Sequence, residues 1–270
     1  MTEPAPAIGL YQDPSIYDIL HTPGTAAEVD GLERIASLHV HARGKAAGTW
    51  LEPACGTARH LRLAAKRGYR SIGFDRDDAM IRYARRRMSA HTDARLTVAD
   101  MTSFIDDGAC RPGEVGFAFN LINSIRHLMS DADLLAHLHQ VADALARGGI
   151  YAVGLSTAAY GYEQPSEDVW TGARGPCRVT QIVQYEPAGS PGDHDPADRL
   201  ERVISHLVIE RPRGTEHADS TYELRTYSLS EWHSVIDRSA MTIAAVTDEL
   251  GDPAPPAEAG YRVYLLAPNT

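Results

Sequence analysis

The chain has 270 residues, of which 43% are hydrophobic and 23% charged, and its formal net charge is −10. That length can bury a large α/β core with or without an inserted lobe, and the acidic balance argues against a general nucleic-acid binder, which needs clustered Lys and Arg for phosphate contacts. No apolar run approaches the roughly 20 residues that span a bilayer, and residues 1–6 lack the basic and apolar regions of a signal peptide. A cytoplasmic protein with no membrane partner is the expectation. The one basic patch, Arg82 with Arg85, Arg86 and Arg87, reads as the solvated end of a helix. Three cysteines, Cys55, Cys110 and Cys177, are far apart, lack metal-type spacing and suggest free thiols in a reducing compartment. No metal site is expected.

Residues 11–38 have helical periodicity. Ser15 is the candidate cap of a short helix carrying Ile16, Tyr17, Ile19 and Leu20. After a break at residues 22–25, a second helix from about Ala26 presents Val29, Leu32, Ile35 and Leu38 on one face. A short apolar strand begins at Thr49 and breaks at Glu52-Pro53, and the small residues Ala54, Cys55, Gly56, Thr57 and Ala58 follow. A helix over residues 60–66 ends at Gly68. Residues 69–74 read as a second strand closing on Asp75. Asp77 or Asp78 caps the next helix, whose apolar face is Met80, Ile81, Tyr83 and Ala84. Residues 96–100 form a third strand ending on Asp100, and residues 115–121 a fourth, in which Asn120 closes the strand. Residues 131–146 are an amphipathic helix through Leu134, Leu135, Leu138, Val141 and Leu145. Gly148-Gly149 closes it, and residues 150–155 are a fifth strand.

After residue 156 the pattern changes. Residues 177–185, 201–210 and 221–228 alternate with period two, as an antiparallel meander does, with a turn-rich loop at 187–196. Residues 230–239 read as a helix with Trp232, Val235 and Ile236 inward, and 242–246 and 261–267 as two final strands. The expected organisation is one domain over 1–270. It comprises N-terminal helices at 11–48, a core at 49–155, an antiparallel β insert at 156–229, and a last helix with closing strands at 230–270. Aromatic and histidine side chains of the insert, Tyr185, His206, Tyr222 and Tyr227, are candidates for a substrate pocket or a homodimer face, against their ordinary reading as packing.

Strand, small-residue turn, helix, strand and acid make the first half of a nucleotide-binding βαβ unit. A dinucleotide site wants Gly-x-Gly-x-x-Gly so that a pyrophosphate can sit on the helix N-terminus. Here Gly56 is the sole glycine of the turn, and Glu52 stands at the strand end, where it repels pyrophosphate and favours a cation. Glu52, Asp75 and Asp100 close three adjacent strands. That set suits S-adenosylmethionine, with its ammonium, sulfonium, ribose and adenine, better than NAD.

The stretch 51–61, Gly73-Phe74-Asp75, Ala99-Asp100-Met101 and residues 146–149 resemble successive motifs of class I S-adenosylmethionine-dependent methyltransferases. The resemblance implies a Rossmann-like doubly wound sheet of order 3-2-1-4-5-7-6, with the last strand antiparallel, and N-terminal helices over the cofactor. It implies that Glu52, Ala54 and Gly56 face the methionine end, Asp75 the ribose, Asp100 with the Met101 backbone the adenine, and Asn120 the methionine portion, with Arg76 a further cofactor-binding candidate. More narrowly, residues 15–18 and 122–127 resemble the Tyr-Asp and Ser-Ile-x-His segments of N-methyltransferases acting on nucleotide-bound amino sugars. That likeness makes Tyr17 and His127 the candidate catalytic residues: His127 as a proton acceptor and Tyr17 as a hydrogen-bonding partner. The implied activity is methyl transfer to a small molecule, an amine nitrogen first. O-methylation of a small metabolite and non-catalytic cofactor binding are the alternatives. Two departures stand out: Ala58 replaces the last glycine of the turn, and Gly116 replaces an Asp at the start of the fourth strand.

Overall fold

Helix–strand alternation through residue 155 commits that part of the chain to a sheet covered on both faces. The computed structural model describes residues 10–90, 92–189 and 199–269. They form two bodies, Thr25–Ala159 with Arg225–Thr270, and the described part of Met1–Gly24 with Tyr160–Leu224.

The larger body holds strands β1 (Thr49–Pro53), β2 (Arg70–Asp75), β3 (Ala94–Val98), β4 (Val115–Asn120) and β5 (Leu145–Thr157). Its sheet is closed by β10 (Met241–Thr247) and β11 (Gly260–Pro268), numbered after the four strands of the smaller body. Spatial order is β10-β11-β5-β4-β1-β2-β3. Strands β1 to β5 are mutually parallel, and β11 runs antiparallel to both β5 and β10. This is the expected 3-2-1-4-5-7-6 order. Alternate residues of each strand serve opposite faces. Trp50, Phe117 and Phe119 pack with α2 (Thr25–His39), α3 (Arg59–Lys66) and α4 (Asp78–Arg87). Leu51, Phe74 and Tyr151 pack with α5 (Asp131–Ala144) and α6 (Leu229–Asp237). Trp50 stacks on Tyr69 at 4.2 Å and meets Phe117 edge-on at 5.0 Å, an arrangement that fixes β1 between its neighbours.

The smaller body is an antiparallel sheet of β6 (Ser166–Arg174), β7 (Cys177–Glu186), β8 (Leu200–Arg211) and β9 (Gly214–Arg225), in that order. Helix α1 (Pro14–His21) lies on β6 and β7, with Ile16, Ile19 and Leu20 against Val179, Leu207 and Ile209. Gly172 admits this approach: a Cβ there would stand 2.1 Å from the Ile19 carbonyl oxygen. Asp18, fully buried, accepts from Arg174 at 2.6 Å. The first N-terminal helix therefore clusters with the antiparallel sheet, and the second, α2, with the large sheet.

Several local expectations are corrected. Asp13, not Ser15, caps α1, because Pro14 occupies the first helical position and the cap must precede it. Leu38 is exposed: steps of three residues drift around a 3.6-residue helix, so position 38 faces away from position 29. Helix α5 stops at Ala144 and β5 begins at Leu145. Gly148, left-handed at φ 78°, lies inside that strand and accepts from the His41 amide at 2.7 Å. Strand β6 had no period-two signal because its first six residues are all exposed. Residues 221–228 are not one strand: β9 ends at Arg225, and Tyr227 is buried with Trp232 in the larger body. Residues 190–196 of the expected loop lie outside the described residues. Among the described residues no helix is long and apolar enough to cross a membrane.

Gly116, one of the two departures above, is required by packing. A Cβ at Gly116 would lie 2.4 Å from the Ala46 carbonyl oxygen, so the short 3-10 turn before β1 sits directly on β4. Gly116→Ala is expected to destabilise the protein by on the order of 1–3 kcal/mol. Urea unfolding measures this, and an unchanged midpoint would show that the turn moves aside freely.

Candidate functional site

Strand β1 is buried along its whole length and lies between β2 and β4, so its C-terminal end opens at the point where the order of the parallel strands reverses. Beyond Pro53 the backbone turns through three left-handed residues, Ala54 (φ 50°), Gly56 (φ 53°) and Ala58 (φ 55°). A left-handed conformation costs an alanine roughly 1 kcal/mol or more, and two hydrogen bonds to β2 hold it here. The Cys55 amide donates to the Phe74 carbonyl at 2.9 Å, and the Gly56 amide donates to Asp75 Oδ2 at 2.8 Å. Ala58 is fully buried and packs with Cys55, Leu61 and Ala64. Its methyl group fills the core behind the turn. Cys55 is buried, and burial followed by the charges of Glu52 and Asp75 pushes its thiol well up, which leaves it protonated and unreactive.

Three strand ends present polar atoms next to this turn. Glu52 is buried; its Oε1 lies 2.6 Å from His60 Nδ1, and its Oε2 has no hydrogen-bond partner among the described residues. Asn120, at the end of β4, is also buried. Its amide donates to the Pro53 carbonyl at 2.9 Å, and its Oδ1 is likewise without a partner. Two buried acceptors without donors thus flank the end of the central strand. Asp75 closes β2 and accepts one backbone donor on each oxygen, Asp77 on Oδ1 at 2.9 Å and Gly56 on Oδ2. Each oxygen keeps a second lone pair. Burial lifts the Asp75 carboxyl above its ordinary value, against the pull of those two amides.

Asp100 lies two residues past β3 and is exposed. The Thr102 hydroxyl and amide both donate to Oδ1, at 2.7 and 2.9 Å, and hold the carboxyl below its ordinary value. The loop it begins is pinned from α5. His137 Nδ1 donates to the Met101 carbonyl at 3.0 Å, and Gln140 Oε1 accepts from the Ile105 amide at 2.7 Å. A carbonyl only accepts, so His137 carries its proton on Nδ1, and Nε2 accepts from the Tyr151 hydroxyl at 2.8 Å. The sequence reading missed His137 and Gln140. The signal was present, since 134, 137, 138 and 141 form one helix face, and a histidine on it is buried with a partner.

Strand β4 hands over to the segment of His127 through a strained turn. Ile122 (φ 53°) and Asn123 (φ 60°) are both left-handed, an outlier for a β-branched residue. The Ile122 amide donates to the Tyr261 hydroxyl at 3.2 Å, and Asn123 exchanges hydrogen bonds with Ser156. His127 ends the short 3-10 helix Ser124–His127 with part of its surface open to solvent. Loss of solvation, then the charges of Arg126 and Arg76, holds its imidazole below the ordinary value. Arg76 also acts on Asp75 and Asp100, so its charge is common to the ends of β2 and β3 and to the His127 segment. Arg126, which as a sequence reads as an exposed cation, is buried, and its Nε donates to the Arg225 carbonyl at 2.8 Å. Tyr17 lies on α1 in the smaller body, with its ring 4.4 Å from that of His21. Among the described residues, no three His, Cys, Asp or Glu side chains gather as a metal requires. A cavity of about 780 Å³ lined by Lys45, Arg70, Asp93, Arg111 and Glu114 opens at the N-terminal ends of the strands, away from these groups.

His137 makes the loop after β3 sensitive to acid. Burial depresses its pKa from 6.5 to about 4, so its contribution to stability is complete above pH 6.5 and is lost as pH falls towards 4. The full loss is on the order of 3 kcal/mol. Urea unfolding at pH 7 and pH 4.5 is expected to show this slope in the wild type and a shallower one in His137→Leu. Equal slopes would contradict the assignment.

Residues 51–149 match a family model described as a methyltransferase domain. No curated protein matches the chain in sequence. Among solved structures, the chain is similar to an S-adenosylmethionine-dependent methyltransferase from Clostridium acetobutylicum ATCC 824, at 14% identity and a TM-score of 0.71, covering 95% of this chain and 97% of that one. It is similar to the sugar N-methyltransferase KedS8 from Streptoalloteichus sp ATCC 53650, at 17% identity and a TM-score of 0.70, covering 100% and 96%. It is also similar to CalS10, an amino pentose methyltransferase from Micromonospora echinaspora solved with S-adenosylmethionine bound, at 16% identity and a TM-score of 0.66, covering 99% and 100%. Identities this low speak for the fold, and the family match covers the turn, Asp75, Asp100 and Asn120. Residues 51–149 thus match a methyltransferase-domain model, and the chain has a fold similar to that of S-adenosylmethionine-dependent methyltransferases.

Proposed function

We propose that this protein transfers a methyl group from S-adenosylmethionine to the amine nitrogen of a small molecule. The observation that carries the cofactor assignment is the pair of buried acceptors, Glu52 Oε2 and Asn120 Oδ1, each without a donor among the described residues. A buried acceptor left unpaired costs about 1–3 kcal/mol, and a ligand ammonium offers three donors to such a pair. A pyrophosphate offers none and would be repelled by Glu52. The remaining lone pairs of Asp75 fit a ribose diol. Asp100 fits an adenine exocyclic amine, beside the Met101 backbone that His137 holds. Ala54 and Gly56 keep the turn free of bulk near the methionine end, and Arg76, exposed, follows Asp75 at the end of β2. The residues present therefore fit the cofactor.

Bound there, S-adenosylmethionine supplies a methyl group on a sulfonium that leaves readily. The protein's part is to position donor and acceptor in line. An amine attacks only when neutral and sheds a proton on becoming methylated. His127, held neutral at pH 7 by its lowered pKa, accepts that proton. The role of Tyr17 rests on the likeness of its Tyr-Asp segment alone. The amine acceptor, rather than a hydroxyl, is supported by that segment, by the Ser-Ile-x-His segment, and by the sugar N-methyltransferase and amino pentose methyltransferase of similar fold.

Calorimetry with S-adenosylhomocysteine and methyl-transfer assays on nucleotide-bound amino sugars test this reading. Asp75→Ala is expected to weaken cofactor-product binding by on the order of 1–3 kcal/mol. His127→Ala is expected to lower turnover at least about tenfold while leaving that affinity within about twofold. Wild-type turnover should fall as pH drops through a value below 6.5. Unchanged affinity in the first variant, or wild-type rates in the second, would remove the corresponding residue from its role.

A further inference from the structure

The first turn of α3 carries two buried cations that the methyl-transfer reading leaves unused. His60 is buried, with Nδ1 2.6 Å from Glu52 Oε1 and Nε2 2.9 Å from Glu28 Oε2. Glu28 comes from the first turn of α2. It also accepts from both terminal nitrogens of Arg59, one of which donates to Thr25 Oγ1 at 2.9 Å. Phe119 of β4 meets the His60 ring edge-on at 5.7 Å. These are the groups that face His60 from β1, α2, α3 and β4.

A carboxylate only accepts hydrogen bonds. A ring with a carboxylate on each nitrogen is satisfied only when both nitrogens carry protons. The row Glu52, His60, Glu28, Arg59 then holds two anions and two cations, which is how buried charge is tolerated. Burial and the Arg59 charge oppose the charge on His60, and the Glu52 charge with the hydrogen bonds that the ring donates to both acids outweighs them, so the ring is held above its ordinary value. Burial likewise opposes the Glu28 charge, and the hydrogen bonds from His60 and Arg59 bring its carboxyl down to about 2.

We infer that His60 is a positioning residue for the cofactor, an imidazolium that holds Glu52 by Oε1 so that Oε2 stays open to the ligand ammonium, and that ties this arrangement to the docking of α2 through Glu28. The inference rests on the cofactor reading above. Without the His60 donor, Glu52 Oε1 joins Oε2 as a buried acceptor with no partner, and nothing fixes which way the carboxylate faces. A carboxylate turned away from the crevice no longer meets an ammonium. The loss is confined to ligands that have one: the groups that face ribose and adenine, Asp75 and Asp100, have no hydrogen bond to this row.

The test is calorimetry of S-adenosylhomocysteine and of adenosine, which lacks the amino-acid portion, on wild type and His60→Gln at pH 7.5. The expected result is a loss of about tenfold or more in S-adenosylhomocysteine affinity, each tenfold being about 1.4 kcal/mol, with adenosine affinity held within about twofold. Equal losses for both ligands, or no loss for either, overturn the inference. A wild type that binds adenosine but gains nothing from the amino-acid portion overturns it too, while leaving the adenosine site standing. A wild type that binds neither removes the cofactor reading itself. If His60→Gln does not fold, nuclear magnetic resonance of ring-labelled histidines in the wild type decides. His60 is expected to keep both nitrogens protonated at pH 7 and to titrate above the exposed histidines, and a neutral His60 ring at pH 7 contradicts the inference.

Discussion

The rest of the site depends on one carboxylate at the end of the central strand. Glu52 is buried there with one oxygen bound to His60 and the other without a donor among the described residues. A buried charge with half its capacity open is expensive unless a ligand completes it. The neighbouring strand repeats the arrangement in neutral form: Asn120 spends its amide on Pro53 and leaves its oxygen free. The β1–β4 crevice is where a doubly wound sheet admits a ligand, and here it offers acceptors. That chemistry fits a cationic ligand.

Around this centre, each strand end is stiffened by a different device. The turn after β1 stores left-handed strain in Ala54 and Ala58 and is tied to β2 by the Gly56 amide on Asp75. The loop after β3 has little packing of its own at Asp100, and α5 clamps it through His137 and Gln140. The turn after β4 holds Ile122 in a costly conformation and is steadied by the Tyr261 hydroxyl. Gly154 makes room for that hydroxyl, since a Cβ there would fall 2.0 Å from it. Closing strand β11, remote in sequence, thus helps to set the segment that carries His127. These hydrogen bonds tie each of the three strand-end segments to a neighbouring element, the support that the proposed catalysis by positioning calls for.

Much of this was legible in the sequence because it is local. Period and small-residue turns marked each strand of the large sheet, and acids at or just beyond the ends of β1, β2 and β3 pointed to the ligand class, though Asp100 lies two residues past β3. What was not legible depends on partners far along the chain. Nothing near His60 in sequence indicates that Glu28, 32 residues earlier, completes its second hydrogen bond. Arg126 read as exposed because its acceptor, the Arg225 carbonyl, is 99 residues away. Strand β6 was silent since an exposed edge strand need not alternate, and Leu38 was misplaced by treating threefold spacing as a helix period. Ala58 and Gly116, which read as departures from a family pattern, are explained by packing: one methyl group fills the core, and one missing methyl group admits the Ala46 backbone.

The central claim is that the end of β1 is built for a cationic, adenosyl-bearing ligand. Its most direct test is isothermal titration of the wild-type protein with S-adenosylmethionine and with NAD under the same conditions. Saturable, one-site binding of S-adenosylmethionine with no heat from NAD is the predicted result. Binding of NAD without binding of S-adenosylmethionine would contradict it.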